Sequence, residues 1–366
     1  MFMASFNSSN HDQQEEEDPS SDLQYQHQLI PEPSRGGFTS ALPNAIHMRQ
    51  LLIRCAELIS RSDLSAAHRL VSILPSSSSP YGDSTERFSH LTANQAILEA
   101  IDEGQQAIHI LDFDIMHGLQ WPPLMQALAE RSYPPPMLRI TATGHDLDIL
   151  HRTGDRLLTF AQSLGLRFQF HPLLLLGNDY DPVIPPALVL LPDEALAVNC
   201  VLYLHKLLKN DTRALHLFLH KIKALNPKVV TIAEREANHN HPLFLQRFVE
   251  ALDHYTAVFD SLEATLPPNS RERLSVEQVW FGREIVDIVA AEGDRRRERH
   301  ERYESWEVML RSSGFSNVPL SPFALSQAKL LLRLHYPSEG YQLQIRNDSL
   351  FLGWRNRALF SVSSWH

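Results

Sequence analysis

The sequence predicts an α/β fold on a mostly parallel sheet, and three observations carry the prediction. The first is Ala107-Ile-His-Ile-Leu-Asp-Phe113, a nearly unbroken apolar run containing a terminal carboxylate, as expected of a parallel strand buried on both faces. The second follows directly: a turn at Gly118, then Trp121, Leu124, Met125 and Leu128 at helical spacing. Pro122 and Pro123 fall where a first helical turn tolerates them. The third is that strand-like and helix-like segments keep alternating as far as residue 233, the rhythm of βα units with right-handed crossovers.

Taken in order, residues 1–45 are rich in Ser, Gln, Glu and Pro and bury too little to offset their ordering entropy. They are assigned to a disordered acidic arm, a solvating tail or a partner-binding segment. From Ile46, Leu51, Leu52, Cys55, Leu58 and Ile59 make one helical stripe. Asp63 caps a second helix bearing Leu64, Ala67, Leu70, Val71 and Leu74, and Pro75–Pro80 closes the hairpin. Glu86–Ser89 then passes directly into His90–Glu99. Past the central strand, Leu138–Thr143 reads as a second strand, followed by a helix capped by Thr153 and ended by Gly165. Phe168–His171 is a third strand, and a Pro-rich linker, 177–193, leads to a fourth, Leu196–Leu202. Asp211 opens the next helix, and Val229–Ala233 is strand five.

Beyond Glu234 long helices dominate 242–312, and Leu325, Ala328, Leu331 and Leu332 mark another. Tyr341–Ile345, a turn at Asn347-Asp348, and Leu350–Trp354 form a hairpin, with Phe360–Trp365 as a last strand. The C-terminal strands are therefore antiparallel.

The chain has 366 residues, 43% of them hydrophobic, enough for a substantial core. Its two cysteines, Cys55 and Cys200, sit in apolar runs, which suits a reducing compartment. Met1-Phe-Met-Ala begins without a basic n-region, arguing against a secretory signal, and the richest apolar region, 183–208, is too interrupted to span a membrane. Residues 1–45 hold seven acids against Arg35 alone, a net −6, so only −4 of the chain's −10 falls on the body. That is not the basic face of an autonomous reader of DNA.

Several motifs together resemble one family. His109-Ile-Leu-Asp-Phe113 with Gly118-Leu-Gln-Trp121 behind it is similar to the signature block of the plant GRAS proteins. Leu164–Phe170 and Ala195–Cys200 resemble their second leucine-rich region. Asn226–Asn238 and Phe248–Phe259 resemble their central block. Arg271-Glu-Arg273, Trp306, Gly314-Phe315, Trp354 and Trp365 match the carboxyl-terminal one. Glu263–Arg273 and Leu330–Gly340 look closest to the lateral suppressor subgroup of scarecrow-like proteins. The hairpin 46–74 resembles the first leucine-rich region, part of which is missing after Arg87.

The resemblance implies a Rossmann-like, methyltransferase-like core, 105–366, with inserted helices, under an α-helical cap, 46–104. It implies a nuclear transcription regulator, not an enzyme, serving as a protein-interaction platform in shoot branching and axillary meristem development. DNA is then met indirectly, through transcription factors or other nuclear proteins. The motif residues carried over, as structural or interaction positions, are His109, Asp112, Gly118, Gln120, Trp121, Glu234, Glu236, Asn238, Arg271, Glu272, Trp306, Trp354 and Trp365.

Rival chemistries find less support. A methyltransferase or small-ligand sensor is the alternative, but between Asp112 and Gln120 a single glycine, Gly118, lies among bulky Phe113, Ile115 and Met116, where a cofactor needs close backbone approach. Asp112 and Asp114 have the chemistry to hold a ribose, yet a carboxylate at a strand end more often caps a helix or bonds a neighbouring turn. No cofactor is assigned. For a metal, His239-Asn-His241 beside Glu234 and Glu236 gathers donors without paired Cys or i,i+4 His, so these side chains are assigned to loop backbone and no metal ligand is named. His109 reads as a hydrogen-bonded core histidine. Asp294–Glu304 holds five arginines and four acids, net +1, the pattern of a solvated helix with intrahelical ion pairs; nuclear import or phosphate contact is the other use for Arg295–Arg297.

The truncated first region carries a consequence. Its hairpin stripe lacks the helices that would cover it, and each 100 Å² of apolar surface left in water forgoes about 2.5 kcal/mol. Either the chain associates through this hairpin, as a homo- or heterodimer, or the transcript retains more coding sequence between Glu86 and His90. Light scattering should show association that a Leu51→Glu, Leu58→Glu double variant abolishes. A monodisperse monomer from a transcript this short excludes both.

Overall fold

The computed structural model describes residues 84–131, 134–175, 188–265, 277 and 280–366. The acidic arm, the hairpin 46–74, most of the Pro-rich linker, and Arg271 and Glu272 lie outside the described residues. The first described element, α1 (Ser84–Ala100), leads into β1 (Ala107–Asp112). Then α2 (Trp121–Arg131), β2 (Met137–Gly144), α3 (Leu147–Ser163) and β3 (Phe168–Leu174) follow. Next come β4 (Ala195–Val201), a 3₁₀ turn at Leu204–Leu207, α4 (Arg213–Ala224) and β5 (Val229–Arg235). The carboxyl-terminal part adds α5 (Phe244–Thr265), α6 (Gly282–Ala290), α7 (Tyr303–Ser312), β6 (Asn317–Val318) and α8 (Pro322–His335). It closes with β7 (Tyr341–Arg346), β8 (Ser349–Trp354) and β9 (Arg357–Trp365).

Among the described residues one sheet holds all nine strands, in the order β3-β2-β1-β4-β5-β9-β8-β7, with β6 paired to β9. The first five are parallel to one another and the last four are joined antiparallel. This is the Rossmann-like layout expected from the sequence, with its antiparallel finish. The direction reverses where β9 pairs with β5, Thr231 opposite Ser364 and Glu234 opposite Ser361. Helices cover both faces. On one, Phe218, Leu219 and Ile222 of α4 and Trp306 and Leu310 of α7 pack against Val198, Val230 and Ile232. On the other, Leu124, Met125 and Leu128 of α2 and Leu150, Leu157 and Ala161 of α3 cover Ile108, Ile110 and Ile140. Among the described residues no helix is long and apolar enough to cross a membrane.

Local chemistry explains most boundaries. The β7–β8 hairpin turns at Asn347 and Asp348, both at positive φ (45° and 60°), the two-residue turn whose twist matches the strands. Ser321 caps α8, its Oγ accepting from Ala324 N at 3.0 Å, with Pro322 in the first turn. Asp211 accepts from Arg213 N at 3.1 Å at the start of α4.

Two expectations are corrected. Thr153 does not cap α3, which begins earlier, where Asp146 accepts from Ile149 N at 3.0 Å; Thr153 is buried inside the helix. Gly154, next to it in mid-helix, is a packing device: a Cβ there would stand 2.5 Å from the Phe170 ring. Nor is Asp294–Glu304 a solvated helix. A 3₁₀ turn at Gly293–Arg295 gives way to non-helical chain before α7, and Arg296, Arg299 and His300 are buried. Its charges pair over long distances, Arg299 with Asn240 (3.0 Å) and Arg302 with Glu250 (3.2 Å), and not within one helix.

The last strand occupies an interior position between β5 and β8, so its side chains are core. Trp365 is fully buried and Trp306 nearly so. Trp365→Ala should cost about 3–5 kcal/mol, read as a lowered urea midpoint. A midpoint within error of the parent would show that the end of β9 does not anchor the sheet.

Candidate functional site

In a parallel sheet a ligand crevice opens at the carboxyl ends of the strands where strand order reverses, here between β1 and β4. Most of the amino-terminal motif residues gather at that point. Asp112, at the end of β1, accepts from Trp121 Nε1 (2.9 Å) through one oxygen and from Asn199 Nδ2 (2.8 Å) through the other. The carboxylate thus bonds side chains and not turn backbone, which corrects the role expected of it. Asn199 Nδ2 also donates to Gln120 Oε1 (3.0 Å), and Thr231 Oγ1 donates to Asn199 Oδ1 (2.8 Å). Gln120 Nε2 donates to Asn199 Oδ1 (3.1 Å) and to Asn94 Oδ1 (3.2 Å), and Asn94 Nδ2 donates to the Gln120 carbonyl (2.7 Å). All six side chains are buried.

The loop from Phe113 to Gln120 is tied down as well. Ile115 N donates to the Thr143 carbonyl and Asp114 N to Thr143 Oγ1. Gly118 sits at φ 63°, and a Cβ on it would come 2.8 Å from Thr153 Cγ2. Asp114 bonds Lys206 Nζ at 2.5 Å; burial pushes its carboxyl up, but the ammonium overrides that and the pKa lies below the usual range. The space enclosed by Glu86, His90, Asp112, Asn199 and this loop is about 20 Å³. That holds a water molecule and nothing of nucleoside size.

The amide partners Asn94 and Asn199 were not singled out by sequence. Asn199 carried one signal, a polar residue inside an otherwise apolar strand.

His109 lies lower on β1, fully buried, with Nε2 2.8 Å from Thr141 Oγ1 and Nδ1 3.2 Å from Arg139 Nη2. Burial, then the Arg139 charge, lower its pKa to about 4. It is the hydrogen-bonded core histidine anticipated.

A second polar centre lies at the carboxyl end of β5. Glu234 Oε1 accepts from Leu204 N (2.8 Å), and its Oε2 lies 2.7 Å from His205 Nδ1. Burial alone would raise this carboxyl, but the His205 charge holds it down to about 2. Arg235 is buried against Glu284 (3.0 Å), which also accepts from Tyr255 OH (2.7 Å). Glu236 accepts from Tyr303 N (3.2 Å), and burial raises it to about 7. Asn238 N donates to Glu250 Oε1 (3.2 Å).

The donors considered from sequence do not assemble as a set. His241 Nδ1 accepts from Leu243 N (3.1 Å), as assigned, whereas His239 is buried with neither ring nitrogen hydrogen-bonded. Among the described residues, the group that brings three possible metal ligands within 4.8 Å of one another is His205, Glu234 and His300. Neither His205 nor His300 was singled out by sequence: His205 lies in a segment with no local pattern, and His300 lies inside the charged run Asp294–Glu304.

The carboxyl-terminal tryptophans lie in the core. Trp306 Nε1 donates to the Glu301 carbonyl (2.9 Å), Trp354 Nε1 to Asp260 (2.6 Å) and Trp365 Nε1 to Ser363 Oγ (2.8 Å), and all three rings are buried.

A model described as the GRAS domain family matches residues 85–366. The chain belongs to this family. Scarecrow-like protein 18 of Arabidopsis thaliana is 49% identical over 404 residues, covering 87% of this GRAS chain and 91% of the relative. Protein MONOCULM 1 of Oryza sativa subsp. japonica is 44% identical over 392 residues, covering 87% and 88%. The crystal structure of SCL7 in Oryza sativa superposes with a TM-score of 0.73 at 32% identity, covering 87% of this chain and 99% of that one. Membership supports a regulatory role in plant transcription, and none of these names is that of an enzyme. Both alignments run longer than this GRAS chain itself, so each relative carries residues without a counterpart here.

The Asp112 network yields a test. Replacing one carboxylate oxygen by an NH₂ group sets donor against donor, so Asp112→Asn should cost about 1–3 kcal/mol at neutral pH. Burial raises the Asp112 pKa from 3.8 to about 7 in the folded chain. Folding therefore takes up a proton between those values, and the contribution of Asp112 to stability falls as pH rises through that window. The stability gap between parent and Asp112→Asn should be wider at pH 5 than at pH 8. Urea titrations giving a gap that does not change with pH would place the carboxylate outside this window.

Proposed function

We propose that the chain is a nuclear transcription regulator that works as a protein-interaction platform for DNA-binding partners, in shoot branching and axillary meristem development. The observation that carries this reading is the closed crevice at β1 and β4: its side chains satisfy one another and leave about 20 Å³. A catalyst built on this sheet needs that space for its cofactor. Similarity to MONOCULM 1 and to Scarecrow-like protein 18 supports the developmental setting.

Surface character supports a partner-binding role. Phe323, Leu330 and Leu334 are exposed along one face of α8, at spacings of seven and four residues. Leu119 projects from the loop after β1, beside an open groove of about 580 Å³ lined by His117, Pro122, Arg156 and Phe160. The body charge of −4 fits indirect contact with DNA.

Calorimetry with S-adenosylmethionine should give no binding heat, and gel shifts with the isolated chain should give only weak, salt-sensitive DNA association. A reporter in plant cells should respond only when a DNA-binding partner and its promoter site are both present. Sequence-selective binding in the nanomolar range near physiological salt, with no partner, would overturn the proposal.

A further inference from the structure

Two buried imidazoles, one buried carboxylate and one partly exposed carboxylate meet beyond the end of β5. His205 and His300 lie ring against ring, centroids 4.0 Å apart with 40° between their planes. At one edge of the pair, Glu234 Oε2 is 2.7 Å from His205 Nδ1 and 3.8 Å from His300 Nδ1. At the other, Glu298 Oε2 is 3.0 Å from His205 Nε2 and 3.3 Å from His300 Nε2. Both rings and Glu234 are buried, and neither His300 nitrogen, nor His205 Nε2, has hydrogen-bond geometry to any partner.

We propose that His205 Nδ1, His300 Nδ1 and Glu234 Oε2 form a buried site for a divalent transition-metal ion, zinc by its donor set, with Glu298 as the outer carboxylate that orients both rings. Charge is the first argument. Two carboxylates need two positive charges in the same small volume. One divalent ion between neutral imidazoles supplies both, and any proton on a ring Nδ1 leaves to solvent as the ion binds.

Geometry is the second. Donors about 2.1 Å from a tetrahedral zinc lie roughly 3.4 Å apart, so the 2.7 Å pair opens and the 3.8 Å pair closes, each by less than about 1 Å. Nitrogen and carboxylate oxygen are the ligands zinc takes in such sites.

The third argument is that the ligands are held in place by other bonds. Glu234 Oε1 accepts from Leu204 N at 2.8 Å and faces His205 N at 3.3 Å, which aims Oε2 at the rings. The His300 carbonyl accepts from His239 N (2.9 Å) and Asn240 N (3.2 Å). Glu298 N donates to Asp287 Oδ1 (2.7 Å), which sets the Glu298 carboxylate 3.0 and 3.3 Å from the two Nε2 atoms, the side of the rings where an outer carboxylate stands around zinc histidines. The Glu298 side chain is 18% exposed, which gives an ion a way in.

The test uses the full chain carrying an affinity tag without histidine. Purified protein equilibrated with zinc chloride and desalted should retain one zinc per chain by mass spectrometry. Stripping it with a chelator should lower Tm by about 5 °C or more, restored by zinc. Cobalt(II) in its place should show the visible absorption of a four-coordinate ion. His300→Asn should lose both signals. Should that variant not fold, Glu298→Gln, at the edge of the cluster, should weaken zinc binding by about 10–100-fold. The chain has 19 histidines, so retention alone does not decide the site. No retained zinc in the parent, or retention equal to the parent in whichever of these variants folds, overturns the proposal.

Discussion

The hydrogen-bonded amide of Asn199 holds the centre of the sheet together. From β4 it reaches Asp112 on β1, Thr231 on β5 and Gln120 ahead of α2, and through Gln120 it reaches Asn94 on α1. An unpaired amide or carboxylate in this position would carry a desolvation cost of several kcal/mol, so these groups fold in register or not at all. The same closure determines what the molecule offers to others. The place where a Rossmann-like sheet ordinarily receives a ligand is filled by side chains from five elements, and recognition is left to the outside.

The fold was legible wherever one periodicity ran without interruption. β1, α2 and the β7–β8 hairpin each declare themselves within a dozen residues, by apolar alternation, a proline pair or an Asn-Asp turn. Asp112 was legible as a polar group worth noting, but its partners were not. Trp121 lies 9 residues on and Asn199 lies 87, and no local pattern links a carboxylate to an amide that far away. Thr153 was misread for a related reason. A threonine ahead of a helical stripe has the chemistry of a cap, but the carboxylate that caps this helix, Asp146, lies earlier and carries it through Thr153.

Asp294–Glu304 shows the limit more sharply. Alternating charge at helical spacing satisfies the rule for intrahelical ion pairs, and in a free peptide that rule would decide. In the folded chain the stronger demand comes from buried groups elsewhere. Glu298 stands against His205 and His300, Arg299 bonds Asn240 and Gly293, and Arg302 bonds Glu250. Solvated i,i+4 pairs bring a few tenths of a kcal/mol each, less than one buried charge stands to lose without its partner. The segment therefore forgoes the helix and runs as non-helical chain past the carboxyl end of β5, up to α7.

The strained turns after β1 and β4 show what the closed crevice does. Asp114, Met116 and Leu202 adopt φ values of 66°, 52° and 53°, conformations that cost non-glycine residues roughly 1–3 kcal/mol each. Such strain persists only where neighbouring bonds over-determine it, as Thr143 does for Asp114 and Ile115. In a ligand-binding sheet a loop of this kind presents backbone amides to a cofactor. Here it turns Asp114 inward to Lys206 and sends Leu119 outward, 65% exposed, beside the groove at Pro122, Arg156 and Phe160. The same turn that would cradle a small molecule thus builds an apolar knob on the surface. That is a shape suited to another protein, and it follows from filling the crevice with the chain's own side chains.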